Sequence, residues 1–242
     1  MGVENIDYEA LKERGFLRGK QDGYLTLRTR MPAGNYRSVH LSKLSEIAKK
    51  YGKGTVHLTV RQGIEIPFIK REDSDSVEAE LKASGVHPGA TGARLRATTC
   101  CPGNNWCKRG LINTFDLFDR IEKEAGIGCG MDLPHKFKIA ISGCPNTCTR
   151  AQVSDMGIHG EVDLAHPEKR IGYAVYLGGC GGRTPRVGFK LDRIFTKEEV
   201  LSLIGKVVEF YKRNAKSRQR LALLIEETGK ENFIKIIDES AV

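Results

Sequence analysis

LPHKFKIAISGCPNTCTRA, residues 133–151, decides how the chain is read. Its centre, KFKIAIS (136–142), is rich in β-formers and predicts a strand, which Gly143-Cys144-Pro145 then stops. Alternation along a strand puts Lys136 and Lys138 on one face. The strand runs directly into Cys144 and Cys148, with three residues between them. A second pair, Cys101 and Cys107 in CPGNNWC, lies upstream with five residues between. Gly, Pro and Asn in both loops let the backbone curl around a bulky inorganic core and aim N–H groups at its sulfurs. Neither spacing matches the knuckles of structural zinc sites, and the six histidines show no metal-ligand spacing. The seven cysteines (100, 101, 107, 129, 144, 148 and 180) are odd in number, and the first residues, MGVENIDYEALKERGF, do not form a secretory signal. A disulfide framework is therefore disfavoured. Spacing favours a metal cluster, with buried structural thiols or a zinc site as the alternatives.

Outward from this segment, residues 20–85 read as strand, helix, strand, strand, helix. GYLTLRTR (23–30) alternates as a strand and Met31-Pro32-Ala33-Gly34 breaks it. Ser42 is the expected cap of a helix bearing Leu44, Ile47, Ala48 and Tyr51, which stops at Gly52. TVHLTV (55–60) and IEIPFI (64–69) flank Arg61-Gln62-Gly63, and Ser74 or Asp75 caps a short helix. That order suits a small α+β sandwich of ferredoxin-like type. A second part begins with the loop 86–107, then a helix over 108–125 whose positive N-terminal end is expected to face the cysteines. Strands at 136–142, 152–159 and 171–177 follow. Thr196-Lys-Glu-Glu199 is a capping box opening a helix to about 213, and 218–228 is another helix. The expected domains are residues 1–82 and 83–242.

The composition, 40% hydrophobic and 29% charged, allows a packed core, and no stretch approaches eighteen consecutive apolar residues. A membrane span is not expected, and the expected compartment is the cytoplasm. The net charge of +9 suits an anionic ligand or partner. Nucleic acid is disfavoured because no aromatic stacking platform accompanies the basic residues.

These segments together resemble the siroheme-dependent sulfite and nitrite reductases over roughly residues 20–215. LRTRMPAG (27–34) and LTVRQ (58–62) are similar to the family's ferredoxin-like half-domain, 133–151 to its catalytic segment, and GGCGGRTPR (178–186) to its Gly-rich loop. The resemblance implies an α+β fold: a ferredoxin-like half-domain followed by a siroheme–[4Fe–4S] domain. It implies that Cys101, Cys107, Cys144 and Cys148 ligate a [4Fe–4S] cluster, with Cys148 also bridging to the siroheme iron. It further implies a substrate pocket of Arg28, Arg96, Lys136 and Lys138, with Arg94 an alternative to Arg96. Arg30, Arg61 and Gln62 are implied to contact siroheme carboxylates, and Asn146 and Arg183 also to bind cofactor. The implied activity is six-electron reduction of sulfite to sulfide. Nitrite reduction to ammonia and a non-catalytic siroheme protein are the alternatives. Large members carry two related halves, whereas this chain has one copy. A homodimer or higher homo-oligomer and an external electron donor such as a ferredoxin are therefore expected.

Overall fold

Every second residue of Tyr24–Arg30 is buried, so one face of that strand belongs to a core and the other carries Thr26, Arg28 and Arg30. The computed structural model describes residues 7–239 and divides the chain into two units, one through Gly92 and one from Ala93. In the first unit, α1 (Tyr8–Glu13) leads into β1 (Phe16–Arg18) and β2 (Tyr24–Arg30). There follow α2 (Ser38–Tyr51), β3 (His57–Leu58), β4 (Ile64–Lys70), α3 (Ser74–Ala83) and β5 (His87–Pro88). The sheet is antiparallel in the order β1-β2-β4-β3, with β5 also on β2. Leu27 and Ile66 lie opposite one another in register and are fully buried. Leu44 and Ile47 of α2 and Val77 and Leu81 of α3 join them in one core, where each such side chain contributes about 1.5–3 kcal/mol.

Three local expectations shift here. Helix α2 starts at Ser38 rather than Ser42, because the His40 ring Nδ1 accepts the Arg37 N–H at 3.1 Å and closes the first turn. The strand expected over 55–60 pairs only at His57 and Leu58, on the sheet edge. Helix α3 begins without a side-chain cap.

The second unit holds β6 (Thr99–Cys100), α4 (Thr114–Lys123), β7 (Ile139–Ser142), β8 (Met156–Val162), β9 (Ile171–Leu177) and β10 (Phe189–Lys190). Helices α5 (Lys197–Asn214), α6 (Leu221–Thr228) and α7 (Lys230–Glu239) follow. The sheet order is β10-β9-β8-β7-β6. β6, β7 and β8 are parallel, and β9 and β10 antiparallel. All four residues of β7 are buried, as a parallel strand covered on both faces requires. The Thr196–Glu199 capping box forms as expected. The helix expected over 108–125 is shorter. Asn113 caps α4 by accepting the Phe115 and Asp116 N–H groups at 3.2 and 3.0 Å, so 108–113 stay in the loop. The strand expected over 152–159 begins only at Met156, after a 3-10 turn at Ala151–Val153. No helix among the described residues is long and apolar enough to cross a membrane.

Candidate cluster and anion site

The two cysteine loops leave the carboxyl ends of neighbouring parallel strands, where open α/β sheets bind their ligands. Cys100 of β6 pairs with Ile141 of β7, so Cys101 and Cys144 emerge side by side. Backbone bonds tie the loops together. The Cys101 N–H donates to the Ile141 carbonyl at 3.1 Å, and the Leu111 N–H to the Gly143 carbonyl at 2.7 Å. The Gly143 N–H points at the Cys101 Sγ, 3.0 Å away. Glycine is required there: a Cβ on Gly143 would lie 2.6 Å from the Gly103 Cα. In the second loop the Thr147 N–H donates to the Cys144 carbonyl at 3.2 Å. Thr147 takes φ 45° and Arg150 φ 58°, bending the chain around Cys148. The Ser142 hydroxyl fastens the far end of the loop, meeting the Thr149 hydroxyl at 2.7 Å and accepting its N–H at 3.2 Å.

Cys101 and Cys144 are half-buried, Cys107 and Cys148 exposed, and all seven cysteines are free thiols. Among the described residues no three His, Cys, Asp or Glu side chains converge tightly enough for a single metal ion. Thiols spread over two loops, one already bonded by a backbone N–H, are the type of donor that a multi-iron core takes. The buried Thr98 and Thr99 hydroxyls, just before Cys101, have no hydrogen-bond partner among the described residues. Such orphaned groups fit a site completed by a bound group.

Four basic residues of this unit share one surface for a reason of register. Leu95 and Phe137 form a parallel bridge, reinforced by Phe137 N–H to the Arg94 carbonyl and Arg96 N–H to the Phe137 carbonyl at 3.3 and 2.9 Å. Leu95 and Phe137 are fully buried. Their neighbours Arg94, Arg96, Lys136 and Lys138 are half-buried and turn to the opposite face. Arg94 is engaged by Asp132, its Nε 3.0 Å from the carboxylate. Burial pushes the His135 pKa down, and Lys136, Arg220, Arg96 and Arg218 push it further. His135 thus sits among cations.

Behind this face lies Asp155, fully buried. Its carboxylate accepts the Lys138 N–H at 2.9 Å and three contacts from Arg220 at 3.1, 2.9 and 2.7 Å. Burial drives the Asp155 pKa upward, and Arg220 opposes it.

Arg28 lies in the first unit, on the outward face of β2, bound to Glu65 on β4 through its Nε at 2.8 Å and its Nη2 at 2.7 Å. Arg30 shares that face. Gln62 takes φ 60° and packs on the Pro32–Gly34 turn, where a Gly34 Cβ would come within 2.8 Å of its own Cβ. The 27–34 and 58–62 motifs therefore meet. Arg61 is half-buried beside it. In the second unit Asn146 and Arg183 are exposed. The Gly-rich loop of Arg183 packs on the exit of the second cysteine loop, with Gly188 N–H donating to the Gln152 carbonyl at 2.7 Å. Sequence reading missed Glu65, Ser142, Asp155 and Arg220. Ser142 lies inside the 133–151 segment without standing out there, and Glu65, Asp155 and Arg220 take their roles from pairing across strands and from the linker before α6.

Comparison with known proteins identifies the family. Residues 91–242 match the family described as nitrite and sulphite reductase 4Fe-4S domain, and residues 18–84 match the nitrite/sulfite reductase ferredoxin-like half domain. A coenzyme F420-dependent sulfite reductase of Methanocaldococcus jannaschii is 28% identical over 98% of this chain and 46% of its own length. A nitrite reductase [NAD(P)H] of Bacillus subtilis is 29% identical over 95% of this chain and 27% of its own length, so the chain spans less than half of either protein. An assimilatory-type sulfite reductase of Nitratidesulfovibrio vulgaris is nearer in size, 29% identical over 84% of this chain and 87% of its own. Among solved structures, the Mycobacterium tuberculosis NirA protein superposes with a TM-score of 0.80 over 94% of this chain and 45% of that chain, at 19% identity. Dissimilatory sulfite reductase I gives 0.77 over 90% of this chain and 70% of that chain, at 15%. At those identities the likeness is one of fold.

Proposed function

Because this chain belongs to the nitrite and sulphite reductase family, we propose that it reduces sulfite to sulfide, taking six electrons from an external donor. The cofactors of the chain are a [4Fe–4S] cluster and siroheme. When bound, they supply electron storage and an iron that takes the anion. The observation that carries the reading is the meeting of two cysteine loops on the carboxyl ends of β6 and β7, strands whose leading segments bring Arg96, Lys136 and Lys138 onto one face. Cys101, Cys107, Cys144 and Cys148 would hold the cluster, and Cys148 would also help to hold the siroheme. Arg30, Arg61, Gln62, Asn146 and Arg183 bind siroheme, whose carboxylates suit the arginines.

Arg96, Lys136 and Lys138 attract the dianion and stabilise charge that collects on its oxygens as they leave as water. The lysine ammonium groups donate protons at those oxygens. Arg28 acts as a further substrate-facing cation, oriented by Glu65. A separate protein delivers the electrons, and the chain works as a homo-oligomer. The size and name of the N. vulgaris relative support sulfite. The B. subtilis relative supports nitrite reduction to ammonia as the second reading.

Anaerobically purified protein, assayed with a reduced dye, tests the proposal. Sulfide release with a kcat/KM above that for nitrite is expected. Faster ammonia formation from nitrite would replace sulfite as the substrate. Cys148→Ser is expected to lose both the tetrapyrrole bands and cluster iron, and loss of only one centre would rule out a shared ligand.

A further inference from the structure

We propose that the buried Asp155–Arg220 pair is a positioning device for the lysine segment 136–138, setting where Lys136 and Lys138 stand for anion binding; this rests on the function proposed above. Lys136–Lys138 lies just before β7, where regular pairing with β8 begins only at Ile139 and Met156. One edge of the segment is held by the backbone of 94–96. On the other edge the chain opposite Lys138 is Asp155, and its side chain takes the place of a strand carbonyl, accepting the Lys138 N–H at 2.9 Å. The Met156 N–H then donates to the Lys138 carbonyl at 3.1 Å, so both polar groups of the Lys138 backbone are fixed by consecutive residues.

Asp155 is in turn fixed. Its own carbonyl accepts the Gly178 N–H at 2.9 Å, and Arg220 grips its carboxylate through Nε and Nη2. Arg220 immediately precedes α6, and its side chain is 11% exposed against 0% for Asp155. The same linker reaches the start of the segment, where the Arg218 N–H donates to the Pro134 carbonyl at 3.0 Å. The linker itself is pinned by the Tyr211 hydroxyl on the Gln219 carbonyl at 2.5 Å. Residues 218–220 therefore touch both ends of 134–138, once directly and once through Asp155. Stability alone is a weak reason for such a pair, because apolar residues of similar volume often serve as well. Direction is what the carboxylate adds: it fixes one N–H in one place while Arg220 balances its charge.

Two variants separate positioning from support. Asp155→Asn keeps an oxygen for the Lys138 N–H. Asp155→Leu with Arg220→Met removes pair and acceptor but fills the space. In holoenzyme matched for iron and tetrapyrrole, the double variant is expected to raise the sulfite KM about tenfold or more while kcat changes less, and Asp155→Asn to stay within about threefold. A readout independent of turnover is the acylation rate of Lys136 and Lys138 by an amine-reactive ester, resolved by peptide mass spectrometry. It should shift several-fold in the double variant and little in Asp155→Asn. A cofactor-replete double variant with wild-type KM and wild-type acylation overturns the proposal. Should it not take up cofactor, Arg220→Lys, which keeps the cation and loses the two-nitrogen grip, carries the same comparison with the same two deciding results. If the wild type turns over neither anion, the reduction reading falls, while the acylation comparison still decides the positioning role.

Discussion

Replacing Gly143 by alanine tests the cysteine-loop geometry most directly. The added methyl would lie 2.6 Å from the Gly103 Cα, whereas ordinary contact begins near 3.4 Å. The two cysteine loops would have to part by about 0.8 Å, since the nearest atoms are the Gly103 backbone, with no side chain to swing aside. Gly143 is not among the glycines at positive φ, so the effect is one of contact rather than torsion. Overpacking of this kind costs about 1–3 kcal/mol. At roughly 2–4 °C per kcal/mol for a chain of this size, the melting temperature should fall by roughly 2–12 °C. The consequence for the cluster is larger than for the fold. Metal–ligand distances tolerate about 0.2 Å, and the Gly143 N–H on Cys101 would be displaced as well. Iron and acid-labile sulfide per chain, measured on anaerobic protein, should therefore drop well below wild type. Gly205→Ala is the control: it lies inside α5 with nothing within 4 Å, and should gain about 1 kcal/mol. A Gly143→Ala protein with wild-type iron content and melting temperature would refute the claim that the loops are held in register by this contact.

Three further outcomes are expected. His135, with its folded pKa below the ordinary 6.5, contributes stability above pH 6.5 that is lost as the pH falls from there toward its folded value, because only the unfolded chain then binds the proton readily. Denaturant melts from pH 7.5 to 5.5 should show a steeper loss for wild type than for His135→Gln, and equal slopes would contradict the burial argument. Thr196→Ala removes the hydroxyl that accepts the Glu199 N–H at 3.2 Å and should lower stability by about 1 kcal/mol, read from urea midpoints at unchanged m. Phe137→Ala empties a fully buried site beside Tyr211, with ring centroids 5.5 Å apart, and should cost about 3–5 kcal/mol. It should also weaken anion binding, because Phe137 orients the lysine on either side of it; a variant with unchanged sulfite KM would separate core packing from the basic face.

Much of the architecture is legible in short patterns. The alternation of Tyr24–Arg30, the capping box at Thr196 and the cysteine spacings are local signals, and local structure follows them. The misses have two causes, a local cap that moves a helix start and groups distant in sequence that pair. Asn113 takes the first N–H groups of α4, six residues past Cys107, so the cysteine loop is longer and its partner donor is the Gly143 N–H rather than a helix end. The edge position of β3 leaves most of TVHLTV unpaired. Lys136 and Lys138 are readable as a pair, yet the bridge between Leu95 and Phe137 that brings Arg96 beside them is a pairing no spacing rule reveals. Asp155, in the unremarkable run SDMGIHG, becomes special only when Arg220 folds back onto it.

The side-by-side exit of the two cysteine loops has a consequence for the chain as a polymer. Residues 108–143, with all of α4, lie between the inner cysteines, and β6 is only two residues long. A core bound by both pairs closes the chain between positions 101 and 148 into a loop. For a loop of about 48 residues, the chain-entropy relation for cross-links gives about 4 kcal/mol, a large part of the stability of an ordinary domain. A cluster so bound would be a staple on a slowly formed parallel junction as well as an electron carrier. Its loss to oxygen should loosen the β6–β7 edge before the rest of the sheet, visible as hydrogen exchange rising first at Cys101 and Gly143.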